Sequence, residues 1–298
     1  MKIFLNIIFF FSFVTLSYTQ DKGRYTSFLN EEGLEGFYDE SGKIVIEPVF
    51  ENYTLAHYWD DIISVIELDE KSYDTYFLTK NGEKKHHDSL YFFDNAPDCE
   101  SEGFIRFRVQ ETDKAGMLNA NGDISIPAIY SDILNARNGY VIALKDAVKK
   151  YWHGDKENDG CNHYSWDGGT EYLLDTSGKV IIENFNDFYS LNIYSIKIED
   201  KEGKDKVRRY FKGVDGSFYS FIDYEIEFKE WINKKFIPAL SSKEELRELV
   251  HPEIVCWDEE EKCYVRIDRD SYLLSNYNSI INMFKNTDVL SADHPVFF

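Results

Sequence analysis

DESGKIVIEP, residues 39–48, sets a Ser-Gly turn between an acidic residue and an apolar run that ends at a proline. The pattern returns as TKNGEKK from Thr79, NANGDISIP from Asn119 and DTSGKVIIE from Asp175. Aligned on their glycines, the copies fall at Gly42, Gly82, Gly122, Gly178 and a weaker Gly216, at spacings of 40, 40, 56 and 38 residues. Near-equal intervals with one enlarged interval are the signature of internal repeats carrying a single insertion. Asp39, Thr79, Asn119 and Asp175 stand three residues before their glycines. There a polar side chain bonds the backbone at the start of a type I turn, and the glycine takes the left-handed conformation that closes a hairpin. A phosphate-cradling loop would need a helix start after the glycine, whereas IVIEP and ISIP are strand sequence running into proline.

The positions around each glycine support the same register. Five residues earlier stand Phe37, Phe77, Met117, Leu173 and Phe211, all apolar, and two later stand Ile44, Lys84, Ile124, Val180 and Phe218. The first and third copies match further, Phe50 with Tyr130 and Ala56 with Ala136. Units of about forty residues hold three or four short strands each and bury their apolar faces by stacking on neighbours. The expected fold is mainly β: about five β-hairpin repeats in an open curved stack, with a propeller-like closure as the alternative, followed by a small α+β domain.

The units resemble the WG-repeat family. Lys114-Ala115-Gly116-Met117-Leu118-Asn119 through Gly122 and Pro127 is similar to one repeat, and Gly36-Phe37-Tyr38-Asp39 with Gly42, Pro48 and Phe50 to another. The signature tryptophan is replaced throughout, by Glu35, Thr75, Ala115, Glu171 and Arg209. The resemblance covers residues 30–222. It implies a β-rich repeat scaffold without general catalytic residues, common in bacterial envelope and secreted proteins.

Residues 1–19 read as a signal peptide: Lys2 precedes an apolar stretch from Ile3 to Val14, and Ser17-Tyr18-Thr19 provides small residues at alternating positions. The expected location is therefore periplasmic, cell-surface or secreted, without stable membrane insertion after cleavage. The formal charge of −21 becomes −22 once Lys2 is removed, which repels nucleic acid at long range. The expected partner is a protein or glycan of the envelope or exterior. No cofactor is expected.

The repeat domain is read as residues 20–222, with an inserted loop at 151–169, YWHGDKENDGCNHYSWDGG. Loops often carry function. Its Trp152, Tyr164 and Trp166 offer a stacking patch for a sugar or peptide. His153, Asp155, Asp159 and His163 offer metal-ligand chemistry, although the position that would carry the bidentate glutamate of a calcium loop is Trp166, and zinc-type spaced pairs are missing. Four cysteines suggest two bridges, Cys99 with Cys161 and Cys256 with Cys263, the latter opposed if Glu259-Glu260 forms a two-residue turn.

Residues 223–298 change pattern. Phe228, Trp231, Ile232 and Phe236 share a helical face before Pro238, and a second helix over 241–250 opens with Ser241 and Glu244 as a capping box. Strands at 253–257 and 262–267 precede a helix over 269–284. Asp223, Glu225 and Glu227 read as one solvated strand face. No nucleophile-elbow, zincin or nucleotide-loop motif occurs in a fitting context. The leading expectation is a non-catalytic extracytoplasmic binding or scaffold protein. An extracytoplasmic hydrolase or metal-binding protein using the loop or C-terminal domain is one alternative, and an inhibitor or immunity-type partner of a basic protein is another.

Overall fold

The computed structural model describes residues 23–51, 56–69, 72–93, 95–152, 163–258 and 261–285. The chain is mainly β, built from small antiparallel sheets with a short helical region after residue 223, and no sheet closes into a barrel among the described residues. The chain divides into two compact units, residues 1–103 with 120–122, and residues 104–119 with 123–298.

Every turn glycine does what its sequence position requires. Gly42, Gly82, Gly122, Gly178 and Gly216 all have φ between 73° and 89°. In the first turn the Asp39 carboxylate accepts the N–H groups of Ser41 (2.9 Å) and Lys43 (3.0 Å), and the Gly42 N–H reaches the Asp39 carbonyl at 2.9 Å. The fourth turn repeats this with Asp175, Ser177, Lys179 and Gly178. The carboxyls of Asp39 and Asp175 are both held below their ordinary range. For Asp39 the Ser41 hydroxyl is the main cause, whereas at Asp175 bonds from Ser177 and Lys179 outweigh an opposing burial effect.

In the first unit one seven-stranded sheet contains two repeats. The strands Tyr25–Leu29, Glu35–Tyr38 and Ile44–Phe50 form the first, and Ile62–Asp69, Ser72–Thr79 and Lys84–Lys85 the second, joined where Phe50 pairs with Glu67. Tyr25, Phe37, Phe50, Trp59, Ile63, Val65, Tyr76 and Leu78 form its core. Trp59 meets Tyr25 and Phe37 edge-on, with ring centroids 5.1 and 5.7 Å away. The turn before Ile62 is fixed by Glu100, whose Oε2 accepts the N–H groups of Asp60, Asp61 and Ile62 at 3.0, 2.9 and 3.3 Å. Burial nevertheless raises the Glu100 carboxyl above its usual range.

The second unit contains three repeats. Phe104–Val109, Lys114–Asn119 and Ile124–Tyr130 make the third, and Tyr140–Lys145, Thr170–Asp175 and Val180–Glu183 the fourth. In the fifth, Leu191–Glu199 pairs with Phe218–Asp223, leaving Arg208–Lys212 on the outer edge. Phe50, Tyr130, Ala56 and Ala136, the matched residues of the first and third copies, are all buried.

The glycine one residue before the conserved apolar position permits a close approach. A Cβ on Gly36 would lie 2.7 Å from the Pro48 nitrogen, and one on Gly116 would lie 2.5 Å from the Ile126 carbonyl oxygen. The register shifts at these points, so the third strand crosses directly over a position that has no side chain.

Turn tips seat on the preceding repeat in a recurring way. In the first unit His86 Nε2 lies 2.9 Å from the Gly122 carbonyl. In the second unit the Ser125 hydroxyl donates to the Thr176 carbonyl, Gly178 packs against Ile126, and the Val214 N–H reaches the Ile181 carbonyl at 3.0 Å. Each contact joins the tip of one hairpin to the third strand, or its immediate continuation, of the repeat before, within one compact unit.

The region after Phe221 departs from the sequence reading in four places. Asp223 ends a strand and caps a helix, accepting the N–H groups of Glu225 (3.0 Å) and Ile226 (3.3 Å), so Glu225 and Glu227 lie in its first turn, not on a strand. That helix, Tyr224–Trp231, runs on through a π-helical turn, Ile232–Phe236, and Pro238 continues it in the segment Ile237–Ala239. Ser242, not Ser241, caps Lys243–Leu249, receiving the Glu245 N–H at 3.3 Å. The strands Glu253–Asp258 and Cys263–Asp268 and the helix Arg269–Lys285 follow.

The fourth departure concerns the cysteines. Asp258 pairs with Cys263 and Cys256 with Val265, so the connection is four residues long and the register lies two residues from the expected one. Cys256 and Cys263 are therefore diagonal neighbours on one face, a separation of about 7–8 Å that is too wide for a bridge. Both are free thiols. Cys161 lies outside the described residues.

Candidate functional site

The enlarged interval is itself a hairpin. Val148–Tyr151 pairs with Tyr164–Asp167, inserted between the first and second strands of the fourth repeat. Lys149 opposes Trp166 and Tyr151 opposes Tyr164, which puts these four side chains on one face. Tyr164 packs edge-on against both Tyr151 (5.8 Å) and Trp166 (5.4 Å).

An ionic frame holds this face. Lys149 Nζ lies 4.5 Å from the Tyr164 ring centroid and 5.5 Å from that of Trp166, and 2.7 Å from an Asp113 carboxylate oxygen. Arg108 bridges Asp113 (3.1 Å) and Asp132 (3.0 Å), and Asp132 accepts the Trp166 indole N–H at 2.8 Å. Bonds from Lys149 and Arg108 keep the Asp113 carboxyl below its ordinary range despite an opposing burial effect. Tyr164 and Trp166, read from sequence as stacking residues, thus already hold an internal cation.

Trp152 is different. The residue is 66 % exposed, and its ring packs tilted against His163 with centroids 5.2 Å apart and planes 36° from parallel. The exposed neighbours on the hairpin's other face include Lys150, Ser165 and Asp167. The structure therefore joins Trp152, Tyr164 and Trp166 in one hairpin and adds His163 as a ring partner. His153, Asp155 and Asp159 lie outside the described residues, and no metal-binding group of three or more side chains occurs among the described ones.

Acidic groups adjoin the frame. Glu171, in the fourth repeat's tryptophan position, is half-buried, and burial together with the Asp187 carboxylate raises its ionisation above the usual range. The Tyr189 ring is 72 % exposed, while partial burial of its hydroxyl, followed by the Glu171 and Asp132 carboxylates, raises its ionisation. The combination offers a stacking surface beside hydrogen-bond acceptors, chemistry suited to a polyhydroxylated or cationic group. Sequence reading overlooked Lys149, Asp132, Glu171 and Tyr189. The one available signal was Glu171, an acid standing where the repeat places an aromatic ring.

The histidine pair at 86–87 is structural. His86 meets the Gly122 carbonyl, and His87 Nδ1 lies 2.7 Å from Asp74 beside the Tyr76 ring.

Comparison with known proteins agrees with this architecture. The WG containing repeat family matches residues 36–55 and 116–151, the segments that open at Gly36 and Gly116 and include the first strand of the inserted hairpin. No curated protein matches the chain. A β-rich repeat array of this kind is consistent with a binding or scaffold role. The hairpin units and these two matches support a WG-repeat protein.

Proposed function

We propose that the chain is a non-catalytic binding or scaffold protein that acts outside the cytoplasm and holds a partner of the cell envelope or exterior through the inserted hairpin. The apolar N-terminal segment supports the location. The observation that carries the reading is the Trp152 ring, exposed on His163 at the end of a hairpin whose other aromatics are fixed by Lys149, Arg108, Asp113 and Asp132. A single exposed ring with polar neighbours suits the apolar face of a sugar better than a broad protein surface, which buries contiguous apolar area.

The test is retention of the mature protein on insoluble cell-wall glycan. Trp152→Ala is expected to weaken retention about tenfold, equivalent to about 1.4 kcal/mol, with an unchanged melting temperature. Equal retention of the variant would remove the hairpin from the proposal. A second reading, capture of a basic protein, is favoured by Glu171, Asp187 and Asp132 around Tyr189. It requires binding that falls steeply with salt and with Glu171→Gln, while Trp152→Ala has little effect.

A further inference from the structure

The hairpin Glu253–Asp258/Cys263–Asp268 forms a two-stranded sheet with no third strand among the described residues. Antiparallel pairing alternates between residues whose backbone groups face the partner strand and residues whose groups face away. The Arg269 N–H bonds the Pro252 carbonyl at 2.9 Å, in step with the ladder. Odd-numbered residues of the second strand therefore face the first, and Tyr264 and Arg266 direct their N–H and C=O groups outward.

The two edges differ. On the first strand Pro252 stands at the entrance and the His251 ring takes the Glu253 N–H at 3.1 Å, which blunts that edge. The second strand has no proline and no bulge, and its pairing is regular throughout. Such an edge is a template for another strand.

We propose that the edge Cys263–Asp268 pairs antiparallel with the same edge of a second copy, about a two-fold axis at Val265. Side chains select that axis. Centred on Val265, Tyr264 stands opposite Arg266 of the second copy, so each strand's outward pair finds a partner within the strand. Centred on Tyr264, Arg266 would face the turn beyond the second copy's strand and lose its partner, and centred on Arg266 two arginines would face each other. Like charges directly opposite destabilise a pair, whereas opposite charges or an arginine beside an aromatic ring support it.

The local chemistry is ready for this arrangement. Tyr264 is 74 % exposed and meets Trp257 edge-on at 5.2 Å. Arg266 uses one nitrogen on Glu253 at 3.0 Å, leaving a guanidinium face for the facing tyrosine. The pairing would turn each two-stranded hairpin into half of a four-stranded sheet, and the outward groups of Tyr264 and Arg266 would exchange hydrogen bonds in two symmetric pairs.

Sedimentation equilibrium of the full mature chain tests this, in about 0.15 M salt so that repulsion between acidic copies is screened. A concentration-dependent dimer is expected. Tyr264→Glu, which sets a carboxylate opposite Arg266, should tighten it about tenfold, and Arg266→Glu should loosen it about tenfold. A monomer at all concentrations up to about 1 mM, or a dimer that neither variant shifts, overturns the proposal. Hydrogen exchange on the unmodified chain gives an independent reading. Protection of the Tyr264 and Arg266 amides should rise with concentration, and concentration-independent exchange there would equally overturn it.

Discussion

Glu35 occupies the first repeat's tryptophan position and is only 3 % exposed. Its Oε2 has no hydrogen-bond partner among the described residues. Burial raises its carboxyl to about 7, opposed by a bond with Ser27. The folded protein therefore favours the neutral acid more than the unfolded chain does, so this group destabilises progressively as pH rises from about 4.5 to about 7, and no further above that. The loss is at most about 3 kcal/mol. Glu35→Gln should remove that slope and raise the urea midpoint at pH 8, read by circular dichroism across pH 4–8. A variant with the wild-type slope would show that Glu35 is not its source. Asp223, 1 % exposed, both caps a helix and pairs with Arg209 at 2.5 Å. Asp223→Ala should cost about 3–5 kcal/mol by denaturant unfolding, because it strands a cap and a half-buried guanidinium together. Residues such as Gly42 were legible from sequence because a turn imposes one backbone conformation. Glu35 was not, since a carboxylate reads as surface unless its place in the repeat is given priority over its charge.

At the scale of the element, the close approach at Gly36 and Gly116 predicts the outcome of adding one methyl group. Gly116→Ala should destabilise by about 1–3 kcal/mol, measured as a shift in denaturant midpoint with unchanged slope. Alanine at the exposed helical position Lys234 should leave the midpoint nearly unmoved. The hairpins were readable because most have a polar residue, a glycine and an apolar strand in fixed order. The inserted strands at 148–151 and 164–167 were not, since VKKY and YSWD are short and mixed, and their stability comes from the Lys149–Asp113–Arg108–Asp132 frame. The C-terminal hairpin failed for a related reason. WDEEEK contains no glycine, asparagine or proline to fix a turn type, so nothing in the sequence distinguishes a two-residue from a four-residue connection. Ser241 and Ser242 likewise compete as caps on equal chemistry, and the fold chose the second.

For the molecule as a whole, the two compact units set the expected unfolding behaviour. Each has its own aromatic core, around Phe37 and Trp59 in one and around Phe185 and Phe221 in the other. Gly36→Ala should lower an early or late calorimetric transition while leaving the other in place, and Gly116→Ala should act on the opposite one. A single transition moved equally by both would mean that the units unfold together. The period was legible at this scale, but the division near residue 103 was not, because the spacing of turns stays even across it. The fourth repeat's tip still seats on Ile126 although a hairpin has been spliced between its first two strands. Since that splice lies away from the seat, the seat itself does not depend on what stands between those two strands. Replacing residues 148–167 with another hairpin of the same end-to-end span should leave the Ile126 seat in place while releasing Asp113 and Asp132 from Lys149 and Trp166, which a modest fall in melting temperature would register.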